Sequence, residues 1–161
     1  MPITTARRAY WGNEVIGIRM MECAFAQGSA LAAYSLGLSL NQSARTPEAS
    51  QRALQVMHEG VKRGYKACAS YLSASFGMGD PIVGHAKDLF REERYFVIGE
   101  RLWQDDHLQL PNLDRVLPLP PAALPQWDGN PDTLIDAAKA VRVTPKAQKL
   151  SGHGHRRQQC S

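Results

Sequence analysis

Apolar positions along the chain form a pattern that repeats itself. The segments Gly28-Ser29-Ala30-Leu31-Ala32-Ala33-Tyr34-Ser35-Leu36 and Gly64-Tyr65-Lys66-Ala67-Cys68-Ala69-Ser70-Tyr71-Leu72 begin at glycines 36 positions apart. At that offset Ala32 matches Cys68, Ala33 matches Ala69, Leu36 matches Leu72 and Leu40 matches Phe76. Spacings of four and eight put Ala32, Leu36 and Leu40 on one helical face, and Cys68, Leu72 and Phe76 likewise. Small residues early on that face let a neighbouring helix approach, and larger ones further along fill the gap. Between the two segments the sequence predicts a helix over 47–63. Thr46 can cap it, Pro47 suits its first turn, and Glu48 complements its positive end. Ala49, Ala53, Val56, Met57 and Gly60 or Val61 line one side. Gly64 supplies the left-handed residue that ends it, so the next helix folds back antiparallel. An earlier helix is expected over roughly 5–26.

Beyond the second segment the period changes. Residues 85–104 read as a helix with Ala86, Leu89, Phe90, Tyr95, Val97, Ile98 and Leu102 on its apolar side, expected to pack on the second repeat and close the row. Arg91-Glu92-Glu93-Arg94 is then its solvated face. Asp105-Asp106-His107 marks its end, with no nucleophile or metal ligand nearby to make it an acid–base cluster. From Pro111 to Pro125 there are five prolines interleaved with leucines. Proline favours extended geometry and removes backbone donors. Leu108, Leu110, Leu113, Val116, Leu117, Leu119 and Leu124 are too apolar for a free linker. The segment is therefore expected to lie as a strap across the helices, anchored by these side chains and Trp127, rather than to serve as a proline-rich ligand. Asn130 and Pro131 start a last short helix to about Val141. The expected architecture is all-α: a short right-handed α-solenoid of antiparallel helix pairs over 1–105, a proline-rich strap and short helix over 106–143, and a flexible basic tail over 144–161.

The segment Ala24-Phe25-Ala26-Gln27-Gly28-Ser29-Ala30-Leu31-Ala32-Ala33-Tyr34-Ser35-Leu36-Gly37-Leu38 resembles the Sel-one-like repeat, a relative of the tetratricopeptide repeat. That pattern is Ala-x-x-Gly-x-x-x-Ala, then Leu-Gly and an aromatic three residues on. The first unit has Leu40 in place of the aromatic; the second has Ser73 in place of the glycine but keeps Phe76. The resemblance covers roughly residues 5–80 and implies a helical solenoid that binds other proteins. A second resemblance rests on Arg94–Leu102, Pro111–Pro121 and Trp127-Asp128-Gly129. These stretches are similar to a C-terminal domain of unknown function that follows Sel-one-like repeats in bacterial proteins, some encoded beside type VI secretion effectors. It implies an immunity-type protein whose partner is a cognate toxin or effector, such as a phospholipase.

Charge changes this picture little. The net charge of +4 comes from Arg142, Lys146, Lys149, Arg156 and Arg157, in a stretch with no Asp or Glu; before it stand 14 basic against 15 acidic residues. A basic tail on a near-neutral body does not make a nucleic-acid-binding domain, and none is expected. The alternative function is an adaptor that uses this tail to bind nucleic acid or envelope components. No run approaches the ~18 apolar residues of a membrane span. Met1–Arg8 lacks an apolar run after its basic residues, so a cytoplasmic location is expected, or a periplasmic one if the chain is a piece of an exported family member. Three cysteines, Cys23, Cys68 and Cys160, give no disulfide framework, and Cys68 reads as a small apolar filler.

Motifs for catalysis, cofactors or metals are not found. His58-Glu59 begins like a zinc-protease helix, but Lys62 stands where the second histidine belongs. Gly77-Met78-Gly79 lacks the lysine of a phosphate loop. His153, His155 and Cys160 lie in the tail and read as incidental. In helix-pair solenoids the first helix of each pair lines the binding face. Its non-core positions here include Tyr10, Trp11 and Glu14, then Arg52, Gln55, His58, Glu59 and Lys62. Trp11, Arg52, His58 and Lys62 are the expected partner-binding residues; Trp and Arg lead because hot spots are enriched in them.

Overall fold

A computed structural model describes residues 14–139. The described residues form an all-α, solenoid-like row. Its members are α1 (Glu14–Ala26), α2 (Ala30–Ser43), α3 (Pro47–Lys62), α4 (Lys66–Met78) and α5 (Leu89–Gln104), then two short helices, α6 (Leu113–Val116) and α7 (Pro131–Lys139). Each helix from α1 to α5 packs on the next. Contacts between Arg63 and Phe25 and between His58 and Tyr95 put α1, α3 and α5 side by side in one layer. Tyr34–Tyr71 and Asn41–Tyr71 contacts join α2 and α4 in the other.

Local chemistry sets these elements. The Thr46 hydroxyl accepts from the Ala49 N–H and caps α3; Ser29 does the same for α2 through Ala32. The turns that reverse the chain are alike. Gly28 (φ 98°) and Gly64 (φ 88°) are both left-handed. The N–H of Gly28 donates to Phe25 O and that of Ser29 to Ala24 O; Gly64 donates to Val61 O and Tyr65 to Gly60 O, the same pair of bonds at an offset of 36. Gly60 lets α3 meet both its neighbours. A Cβ there would stand 2.5 Å from Cys68 Sγ and 3.0 Å from the Ala33 Cβ. Burial pushes the Cys68 thiol up to about 12, in keeping with an inert filler.

One core runs from α3 to α7. Ala53, Met57, Val61, Cys68, Leu72 and Phe76 are buried together with Tyr95, Ile98 and Leu102 of α5, with Leu108, Leu110, Leu113 and Leu117 of the strap, and with Leu134, Ile135 and Ala138 of α7. The strap thus packs across α3 and α5 through its leucines, and Trp127 lies half-buried against the same core. A second, smaller cluster of Ala33, Leu36 and Val56 lies under α1.

The structure departs from the sequence expectations around α5. The helix starts at Leu89, not 85, because Gly84 and His85 both have positive φ and Asp88 Oδ1 accepts from Arg91 N. Arg91 and Arg94 are buried rather than solvated, at 7% and 5% exposure. Leu89 and Phe90, expected to pack inward, are exposed. The strap runs along the side of α5 that carries Arg91 and Arg94, and Leu89 and Phe90 lie on other sides of the helix. The expected tail and residues 1–13 lie outside the described residues.

Candidate functional site

The face formed by α1, α3 and α5 carries the residues expected to bind a partner, and the strap already covers part of it. Extended, proline-rich backbone leaves carbonyl groups without partners, and two arginines of α5 supply the donors. Arg91 Nε donates to Pro118 O at 3.1 Å, and another of its nitrogens donates to Ala122 O. Arg94 donates to Val116 O and Pro125 O, both at 2.5 Å, with its guanidinium 5.6 Å from the Trp127 ring centre. Asp88 is ion-paired with Arg91. At the other end of the strap, Leu110 N donates to Lys62 O at 2.8 Å. Gly64 lies so close that a Cβ on it would stand 2.3 Å from Leu108 O.

His58 is the centre of a polar chain between these elements. Its Nδ1 is 2.7 Å from the Tyr95 hydroxyl of α5, and its Nε2 is 2.8 Å from Asp114 Oδ1 of α6. An ionised carboxylate only accepts, so Nε2 donates to it. Burial pushes the Tyr95 phenol well above its ordinary range, so the hydroxyl keeps its proton. Lys62 bridges Asp114 Oδ2 and Glu59 Oε1, each at 2.7 Å. The hydrogen bond from His58, then that from Lys62, holds the Asp114 carboxyl well below the usual carboxylate range despite some desolvation.

These contacts place two of the expected site residues in bonds within the chain. His58 is 2% exposed and is bonded to Asp114 of α6 and Tyr95 of α5. Lys62 is engaged by two carboxylates. Both lie on the expected face of α3; the strap reached them first. Arg52 is different. It is exposed and makes no hydrogen bond or ion pair among the described residues. It lines a cleft of about 460 Å³ with Phe25, Gln55, His58, Glu59, Arg63 and Asp114. Arg63 donates to Phe25 O at 2.8 Å and covers the Phe25 ring at 4.3 Å, fixing the α1 side of the cleft. Trp11 and Tyr10 lie outside the described residues.

Asp114 was not singled out from the sequence, Tyr95 was read only as part of the apolar side of the helix, and Arg91 and Arg94 only as part of its solvated face. The available signal was the pair of arginines one helical turn apart on a helix followed by a proline-rich segment full of unpaired carbonyls. A larger cavity of about 530 Å³ lies at the N-terminal end of α3, between Thr46, Pro47, Leu54, Ile82 and Pro120, and no expected site residue lines it. No helix among the described residues is long and apolar enough to cross a membrane.

Residues 80–150 match a family described as a domain of unknown function (DUF6396). The matched stretch takes in α5, the strap and α7. No curated protein and no solved structure matches the chain.

Proposed function

We propose that this chain is a non-catalytic protein-interaction module of the immunity type, which binds and neutralises a cognate secreted bacterial toxin through the cleft bounded by α1, α3 and the strap. The observation that carries the binding half of this reading is Arg52, an exposed arginine with no hydrogen-bond or ion-pair partner among the described residues, beside a concave surface held by internal bonds. Arginine at such a position is a favoured anchor in interfaces, and a surface held in place by internal bonds loses little freedom on binding. The toxin half rests on the resemblance of the repeat and the C-terminal segment to proteins encoded beside type VI secretion effectors.

Calorimetry against a secreted effector found encoded beside the gene tests both halves. Arg52→Ala is expected to weaken binding about tenfold or more and to leave the melting temperature unchanged. Full affinity in both Arg52→Ala and Arg52→Glu would remove the cleft from the interface. Absence of any binding by the unmodified chain would remove the toxin assignment. His58→Ala is a poor probe, because it releases Asp114 and the strap at the same time.

A further inference from the structure

We propose that the groove between α4 and α5 docks a basic amphipathic helix of a partner protein, at a surface separate from the Arg52 cleft. In the row, α1 and α3 are each followed by a helix that packs back on them. At Asp105 the chain leaves α5 for the strap instead; α7 returns to α5, where Arg101 is ion-paired with Asp132, and leaves Leu89, Phe96 and Trp103 uncovered. What is left there is organised. Leu89, Phe96 and Trp103 are 62%, 58% and 61% exposed. Spacings of seven put all three on one face of α5, and at 100° per residue that face is opposite Arg91 and Arg94, which hold the strap. Isolated apolar residues on a surface are ordinary, but a continuous row marks an interaction site.

The floor of the groove suits a helix. Antiparallel packing sets Ser70 and Ala74 of α4 beside Gly99 and Phe96 of α5, around a depression of about 270 Å³. Small residues allow another helix axis to come close, and the aromatic ridge gives it something to grip. From Leu89 to Trp103 the ridge is about 21 Å long and matches a partner helix of about four turns.

Charge selects the occupant. Glu93 and Glu100 alternate with the apolar row, and Glu92 lies over Gly77 at its edge. None of the three has an ion-pair partner among the described residues. The basic residue at this face, Lys66, is already paired with Asp106 and lies 3.9 Å over the Trp103 ring, where it also steadies that ring. A second copy of the same face would bring like charges together across an apolar contact. A helix with an apolar stripe flanked by Lys or Arg meets both features.

The test uses the full chain and fluorescein-labelled peptides of about 18 residues. One carries leucines on the helical repeat with lysines between; a second has the same composition in scrambled order; a third has glutamate in place of lysine. The amphipathic basic peptide is expected to bind with an affinity that falls as salt rises, and the other two to bind at least tenfold more weakly. Phe96→Ala combined with Trp103→Ala should cost about tenfold or more, Glu100→Lys should also weaken binding, and Arg52→Ala should change nothing. If the double variant melts early, the exposed Glu100→Lys change decides the matter alone. No binding of the basic amphipathic peptide, or equal binding of its scrambled form, would overturn the proposal. So would a dimer in analytical ultracentrifugation that Glu100→Lys strengthens, because the occupant would then be a second copy. Loss of peptide binding in Arg52→Ala would show that the peptide sits in the cleft instead.

Discussion

At Gly28 and Gly64 the chain leaves a helix through a left-handed residue and returns at once as the next helix; at Asp105 it leaves α5 extended (φ −137°) and runs on as the strap. The first two exits are closed by backbone bonds within five residues of each other, the same bonds in each turn. The strap is fixed by side chains from far away in sequence: Arg91 reaches Ala122, Arg94 reaches Pro125, and His58 reaches Asp114. The two glycine turns are therefore closed by local bonds, although the helices they join share one core with the strap. The strap depends on α3 and α5 being already in place. It then consumes part of the face that the row would otherwise present.

The two glycine turns differ in one respect, which makes the sharpest test. A Cβ at Gly28 would meet nothing within 4 Å, whereas one at Gly64 would strike the Leu108 carbonyl of the strap. Valine at either position carries the left-handed strain, about 1–2 kcal/mol. Gly64→Val should also force the strap away from α3, for a total above about 3 kcal/mol. Denaturant unfolding of both variants checks this. Equal losses at the two sites would mean that Leu108 yields freely and that the strap contact at Gly64 is not a firm one.

A smaller effect is expected from Arg94→Met. Methionine can fill much of the space, but the carbonyls of Val116 and Pro125 lose their donor. Leaving such groups unpaired costs about 1–3 kcal/mol each where they stay buried, so about 2 kcal/mol is expected in all. The loss should be local. Limited proteolysis should cut faster between Val116 and Pro125, while helix content stays the same. Unchanged cleavage there would show that the leucines alone hold the strap.

How much of this was legible in the sequence follows the same division. The turns, the Thr46 cap and the small-to-large order of Ala32, Leu36 and Leu40 are local or periodic features, and they predicted α2, α3 and α4 closely. The leucines of the strap announced that it would pack, because so apolar a segment has no other stable place. The sequence did not show which side of α5 it would pack against. Arg91 and Arg94 looked like half of a solvated, mixed-charge run, and their role appears only when the strap carbonyls are beside them. His58 was read as part of the outward face of α3, and its bonds to Tyr95 and Asp114 were not foreseen for the same reason. Nothing near it in sequence points to Asp114, which is 56 residues away. Arg52 kept its expected exposure because the strap passes it by.

The smallest expected effect concerns pH and separates the His58 contact from the rest of the strap. The Asp114 carboxyl is held below the usual carboxylate range by His58 first and Lys62 second. A carboxylate whose folded pKa is depressed contributes stability that is present above its unfolded value, near 4, and is lost as pH falls through the folded one. The contribution is therefore complete at neutral pH and declines from about pH 4 downward. Its size is limited, because the Asp114 side chain is 59% exposed and solvent screens both of its ion pairs. Asp114→Asn keeps the shape and removes the charge. Melting curves of the unmodified chain and Asp114→Asn should differ at pH 7 and converge progressively below pH 4. Added salt should narrow the gap at neutral pH without closing it, since the bond from the buried His58 ring is shielded from ions on one side. A gap that stays constant from pH 7 down to pH 3 would mean that the charge of Asp114 does not contribute, and that α6 is held to α3 by Leu113 and Leu117 alone.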